Sequence, residues 1–239
     1  MPRLFRRRQV WMPTVWGVLL LAALIAAAVA ALAPALGTFL APREPAVGKD
    51  GSGAGTLVVE GWLDEGSLAQ AAAFAVARQR YRRVLVSGGP LEGWREGQVW
   101  STSAERAADY LRRHGIGAIP VVAVPAPAAA TERSFLSAVV VRDWLQHEGL
   151  AVDAIDVFSD GVHARRSRLV YRLAFGPGVE VGIVAAAPSS YRLDRWWTTS
   201  EGVKRVLDEL VGLAWTHCCI RPAPPPSHEE RRAVPTTSS

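Results

Sequence analysis

The stretch AIDVFSDGVHARRSRLVYRLAF, residues 154–175, decides the fold. Its first six residues are a short, largely apolar run, long enough for a buried strand and too short for a helix. Asp160, Gly161 and Val162 interrupt that run, and from His163 onward the spacing is helical. A strand feeding directly into a helix is half of a βαβ crossover, the connection that parallel strands need.

The same alternation repeats on both sides. Runs at 56–60, 83–87, 121–124 and 179–186 read as strands, and segments 67–80, 102–114, 131–147 and 200–217 carry helical period. Together with 154–159 and 163–175 they predict an α/β domain over 56–220, a mostly parallel five-stranded sheet with helices on both faces. In open sheets of this kind ligands bind at the carboxyl ends of the strands.

Upstream of the domain no charged residue occurs between Gln9 and Pro42, and residues 14–40 are almost wholly apolar. About 20 such residues cross a hydrocarbon core of ~30 Å. A cleavable secretory signal has an apolar region of only about 7–15 residues, so this span reads as an uncleaved anchor. Arg3, Arg6, Arg7 and Arg8 precede it. The positive-inside rule therefore keeps residues 1–13 cytoplasmic and sends the domain across the membrane, with Trp11 and Trp16 at the interface. Residues 41–55, rich in Gly and Pro, read as a flexible linker, and 221–239 as a disordered polar tail.

The net charge is +5, from 27 Lys plus Arg against 22 Asp plus Glu, and several of the positives precede the anchor. The domain is thus nearly balanced, and a nucleic-acid footprint is not indicated. Cys218 and Cys219 are too few and too close together for a disulfide framework or a zinc site, and read as packing residues. The five histidines have no metal-ligand spacing, and neither a Walker loop nor a Gly-x-Ser-x-Gly elbow occurs, so no metal or cofactor is indicated by motif.

The strand ends supply the candidate site: Glu60 after the first, Ser87-Gly88-Gly89 after the second, and Asp160 through His163 after the fourth. Glycines there allow close approach of a ligand, and free amides and helix N-termini favour an anion. The alternative for Gly88-Gly89 is a tight turn requiring positive φ. His163 and Arg166, three apart, share a helix face; an imidazole can move a proton and a guanidinium can clamp a phosphate or carboxylate. Arg165, Arg168 and Arg172 follow another stripe and read as a solvated face or one leaning toward lipid headgroups. Thr102 and Glu105 make a capping box, a structural role, and Thr131 reads as the N-cap of the next helix. Trp196 and Trp197 read as packing residues.

Taken in order, strand-Glu60-Gly61, Ser87-Gly88-Gly89, the Ala-Glu105 and Thr131 helix starts and the His163-x-x-Arg166-Ser167 segment resemble the ElyC/SanA/YdcF family of bacterial envelope proteins, over roughly residues 56–216. The resemblance implies a Rossmann-like three-layer sandwich and a role at the inner membrane in envelope biogenesis or integrity. It also implies a ligand set of Ser87, Gly88, Gly89, Thr131 and Arg166, to which the strand-end position adds Asp160. Three positions depart from the family pattern: Ser167 stands for Ala, Ser134 for Asn, and the first strand ends in Glu60-Gly61-Trp62 where Gly-Gly or Gly-Ala is usual. The expected function is binding or processing of an anionic, phosphate-bearing or lipid-linked envelope precursor, with His163 or Glu60 moving a proton. A non-catalytic ligand-sensing or scaffold module and a nucleotide-binding protein are the alternatives.

Overall fold

The computed structural model describes residues 12–48, 55–93, 95 and 97–220. The basic N-terminus, up to residue 11, and the expected tail 221–239 lie outside the described residues. In chain order the elements are α1 (Val15–Leu40), β1 (Arg43–Glu44), β2 (Gly55–Glu60), α2 (Glu65–Arg78), β3 (Tyr81–Gly88), α3 (Ser103–Arg113), β4 (Val121–Pro125), α4 (Arg133–His147), β5 (Ala154–Ser159), α5 (Ala164–Phe175), β6 (Glu180–Ala185) and α6 (Ser200–Cys219).

All five expected strands form, and a sixth joins them. The sheet order is β1-β6-β5-β2-β3-β4, parallel throughout except for β1, which pairs antiparallel with β6. The chain runs from β2 outward through β3 to β4, then returns to β2's other side for β5 and β6. The side-chain period of two sends alternate residues to opposite faces. Leu57 and Val59 of β2 thus pack with Leu68 and Ala71 of α2 and Ala107 and Leu111 of α3, while Val58 packs with Val141 of α4 and Val170 of α5. Burying a side chain such as Leu57 or Leu111 completely stabilises by roughly 1.5–3 kcal/mol, and the two clusters meet only through the sheet.

β1 lies in the segment expected to be a flexible linker. Residues 41–48 are instead packed, while 49–54 lie outside the described residues. The cause is a gap on the α2 face of the sheet, over β5 and β6. Val47 fills it, in contact with the cluster that holds Leu57, Phe158 and Val184. Asp156, fully buried on β5, accepts the backbone N–H groups of Ala46 (2.5 Å) and Val47 (3.3 Å) and the Tyr81 hydroxyl (2.7 Å). Gly182 permits the crossing, since a Cβ there would overlap the Ala46 nitrogen and the Asp156 carboxylate.

α1 is long and apolar enough to cross a membrane, with a mean hydropathy of 2.6 and an apolar window that is wholly exposed. Its 26 residues span about 39 Å at ~1.5 Å per residue. Its last turns dock onto the domain. Leu36 and Leu40 join Val162, Tyr191, Trp196 and Val206 in a third apolar cluster. Gly37 lies so close to the 3-10 turn Leu193–Thr198 that a Cβ would overlap the Leu193 carbonyl oxygen. The Trp196 indole donates to the Ala33 carbonyl at 2.7 Å. Arg165, expected on a solvated face, lies over the Phe39 ring at 3.8 Å and donates to the Phe39 carbonyl. Arg168 likewise pairs with Glu44 (2.6 Å), and only Arg172 of that stripe is fully exposed. Because Arg43 lies opposite Val184, near the carboxyl end of β6, α1 arrives at the carboxyl edge of the sheet.

Cys218 and Cys219, expected to pack, are exposed and joined to each other at the end of α6.

Candidate functional site

Where the chain reverses its direction across the sheet, the carboxyl ends of β2 and β3 and the turn after β5 enclose a cleft of about 550 Å³. Glu60, Ser87, Gly88, Gly89, His163 and Arg166 all line it, so six of the expected site residues are brought together. Asp160 and Thr131 do not line it. Asp160 is half-buried just outside, and burial raises its carboxyl pKa.

Thr131 is exposed and is not an N-cap. That position belongs to Glu132, in the left-handed region at φ 54° with no side-chain cap. The Glu132 carboxylate is taken by the Trp215 indole of α6 at 3.3 Å. α4 therefore begins at the cleft without a side-chain cap, and its Arg133, Ser134 and Ser137 form part of the wall. Helix N-termini of this kind present amide donors and partial positive charge. The expected capping box is present at α3: Thr102 accepts from the Glu105 amide at 3.2 Å and Glu105 accepts from the Thr102 amide at 3.0 Å. Hydrogen bonds from Ser101 hold the Glu105 carboxyl below its ordinary pKa, which fits a structural role.

Neither Gly88 nor Gly89 has positive φ, so the tight-turn alternative does not apply. At Gly88 a Cβ would overlap the Ser103 hydroxyl of α3; glycine lets α3 seat against β3. At Gly89 a Cβ would make only ordinary contact, its nearest neighbour 3.8 Å away.

His163 ends a 3-10 turn, Gly161–His163, that runs into α5. Its Nδ1 is 2.8 Å from Glu209 Oε1 on α6, a residue that the sequence reading did not single out. Arg166 donates to the same carboxylate, Nε to Oε2 at 2.8 Å and Nη2 to Oε1 at 3.1 Å. Gly212, one turn along α6, makes room for the guanidinium. Burial works against charge on Glu209, but the hydrogen bonds from His163 and Arg166 outweigh it and hold the carboxyl at about 2. His163 Nδ1 faces both the Glu209 carboxylate and, at 3.0 Å, the Arg166 Nη2; the shorter contact, to the ionised carboxylate, favours the tautomer with its proton on Nδ1. The other ring nitrogen, Nε2, is buried and has no hydrogen-bond partner among the described residues. The Trp62 indole meets the imidazole edge-on, with ring centres 4.9 Å apart.

Glu60 is engaged differently. Its Oε2 accepts from Ser159 at 2.5 Å and its Oε1 from Ser167 at 2.8 Å. Of the two expected proton movers, His163 therefore has the unengaged atom. Four arginines reach the cleft: Arg166 is paired with Glu209, Arg205 with Glu201 and Arg133 with Glu92. Arg106, half-buried on α3, has a side chain with no hydrogen-bond or ionic partner among the described residues. Groups of three or more His, Cys, Asp or Glu side chains placed to hold a metal ion do not occur among the described residues.

The chain matches no protein-family profile, no curated protein and no solved structure.

Proposed function

We propose that this is a single-pass inner-membrane protein of the bacterial cell envelope, N-terminus cytoplasmic and domain extracytoplasmic, whose cleft binds and processes an anionic, phosphate-bearing or lipid-linked envelope precursor. The unpartnered Nε2 of His163 is the observation that carries this reading. With Nδ1–H fixed on Glu209, Nε2 offers a lone pair that can take a proton from a hydroxyl or a water, and the Glu209 carboxylate stabilises the imidazolium that results. Arg106, whose side chain has no partner among the described residues, the start of α4 without a side-chain cap, and Arg166, paired with Glu209, supply positive charge for the anion. Glu60, tied to two serines, shapes the wall.

The strand order, with its reversal at β2, supports a Rossmann-like sandwich, in which ligands take this position. The ordered motifs resembling the ElyC/SanA/YdcF family support the envelope setting, and the four arginines ahead of α1 support the orientation.

The test is native mass spectrometry of the full chain in nanodiscs loaded with a polyprenyl phosphate, comparing wild type with His163→Ala and Arg166→Ala. Wild type should release a modified product. His163→Ala should retain the ligand unaltered, with turnover down about 10²–10⁴-fold, the usual contribution of a positioned acid or base. Arg166→Ala should bind it more weakly. Folded variants that match wild type in binding and turnover would sink the proposal, and an unaltered ligand on wild type would favour a sensing module.

A further inference from the structure

α6 presents three faces. Val206, Leu210 and Leu213 pack in the cluster that receives α1, and Arg205 and Glu209 line the cleft. The third face turns outward and carries Leu207, 51% exposed, Val211, 72%, and Trp215, 58%, with the exposed charges of Lys204 and Asp208 beside them. Leu207, Val211 and Trp215 lie four residues apart and so form a single ridge. The ridge begins at Val203, which packs on the same cluster as Leu36 and Leu40 of α1.

We propose that this ridge lies on the bilayer surface and is the protein's second membrane contact. The inference rests on the reading that α1 crosses a bilayer. α1 leaves the domain at the carboxyl edge of the sheet, so the lipid must lie beyond that edge, and α6 is the helix that covers it. The apolar ridge is continuous with the α1 docking surface, which places it beside the point where α1 enters lipid. Its chemistry fits an interfacial helix: Trp215, whose N–H donates to Glu132, and the nearby Trp197 carry amphipathic rings, and Lys204 on the same face can extend its ammonium toward headgroup phosphate. Arg195, exposed on the turn that holds Gly37, adds positive charge, while Arg192 just before it is paired with Asp194. With the ridge on lipid and Glu209 on the adjoining face, the cleft sits at headgroup height.

The test uses nitroxide labels on the full chain in phosphatidylethanolamine–phosphatidylglycerol nanodiscs, with Cys218→Ser and Cys219→Ser to free the background. Single labels at Leu24→Cys on α1, Val211→Cys on the ridge and Glu148→Cys at the far end of α4 are compared by oxygen and nickel-chelate collision rates. The expected result is a high oxygen-to-nickel ratio at 24 and 211 and a low one at 148. A lipid value at 24 with a water value at 211 overturns the inference and leaves the anchor standing. A water value at 24 overturns both. Protection at 211 that disappears as protein is diluted in lipid means that a second copy covers the ridge, which also overturns it.

Discussion

Asp156 and Glu209 are both carboxylates drawn out of water, and they are held in contrasting ways. Asp156 receives two backbone amides and a tyrosine hydroxyl, all from groups with no exposure to the cleft, and it binds the chain after α1 to the sheet. Glu209 receives His163 and Arg166, two side chains that line the cleft, and one of them keeps a free ring nitrogen. The first arrangement is closed and consolidates the fold. The second leaves bonding capacity unspent at the place where a ligand would arrive, and this difference, not burial or charge, separates a structural carboxylate from a functional one.

The sharpest way to break the contrast is Asp156→Ala. It strands three buried donors, and a loss of about 3–5 kcal/mol is expected, the range for removing one partner of a buried charged network. Urea unfolding of the full chain in detergent measures it; a loss under about 1 kcal/mol, no more than an ordinary hydrogen bond, would place Asp156 with the functional group. Next in size is the acid limb of stability. The folded pKa of Glu209 is depressed to about 2 from 4.5, so its contribution is complete above about pH 4.5 and is lost as pH falls from there toward 2. Glu209→Gln should flatten the Tm profile in that window, and a profile of unchanged steepness would contradict the pairing. The smallest effect asks to which kind Glu60 belongs. Ser159→Ala removes one of its two hydroxyl donors and should cost about 1 kcal/mol with phosphate-ligand binding unchanged. Altered binding, read by calorimetry, would move Glu60 to the functional side.

The sequence made local features legible and left distant ones hidden. Each expected helix and strand rests on periodicity within a few residues, and the Thr102–Glu105 capping box forms as its spacing predicts. Thr131 had an equally good local signal, but Glu132 takes the N-cap position, its carboxylate accepting from Trp215 of α6, a contact that no local pattern announces. β1 left no pattern, being two residues long and next to a proline, and its order comes from Asp156 more than a hundred residues away. Glu209 is 46 residues from His163. One trace of it existed: Arg205, Glu209, Gly212 and Thr216 mark a polar, small-residue stripe on a helix that is otherwise apolar on two sides.

The seating of Gly37 against Leu193, with Trp196 bonded to Ala33 beside Pro34, has a mechanical consequence. These contacts oppose swivelling of α1 against the domain, coupling helix and cleft as one lever. The apolar stretch from Val15 to Leu32 spans about 27 Å at ~1.5 Å per residue, slightly short of a typical ~30 Å hydrocarbon core. A thinner bilayer favours a tilted helix and a thicker one an upright helix. On the proposed anchoring of α1, either change would rotate the mouth of the cleft through the same angle and so couple membrane thickness to access to His163.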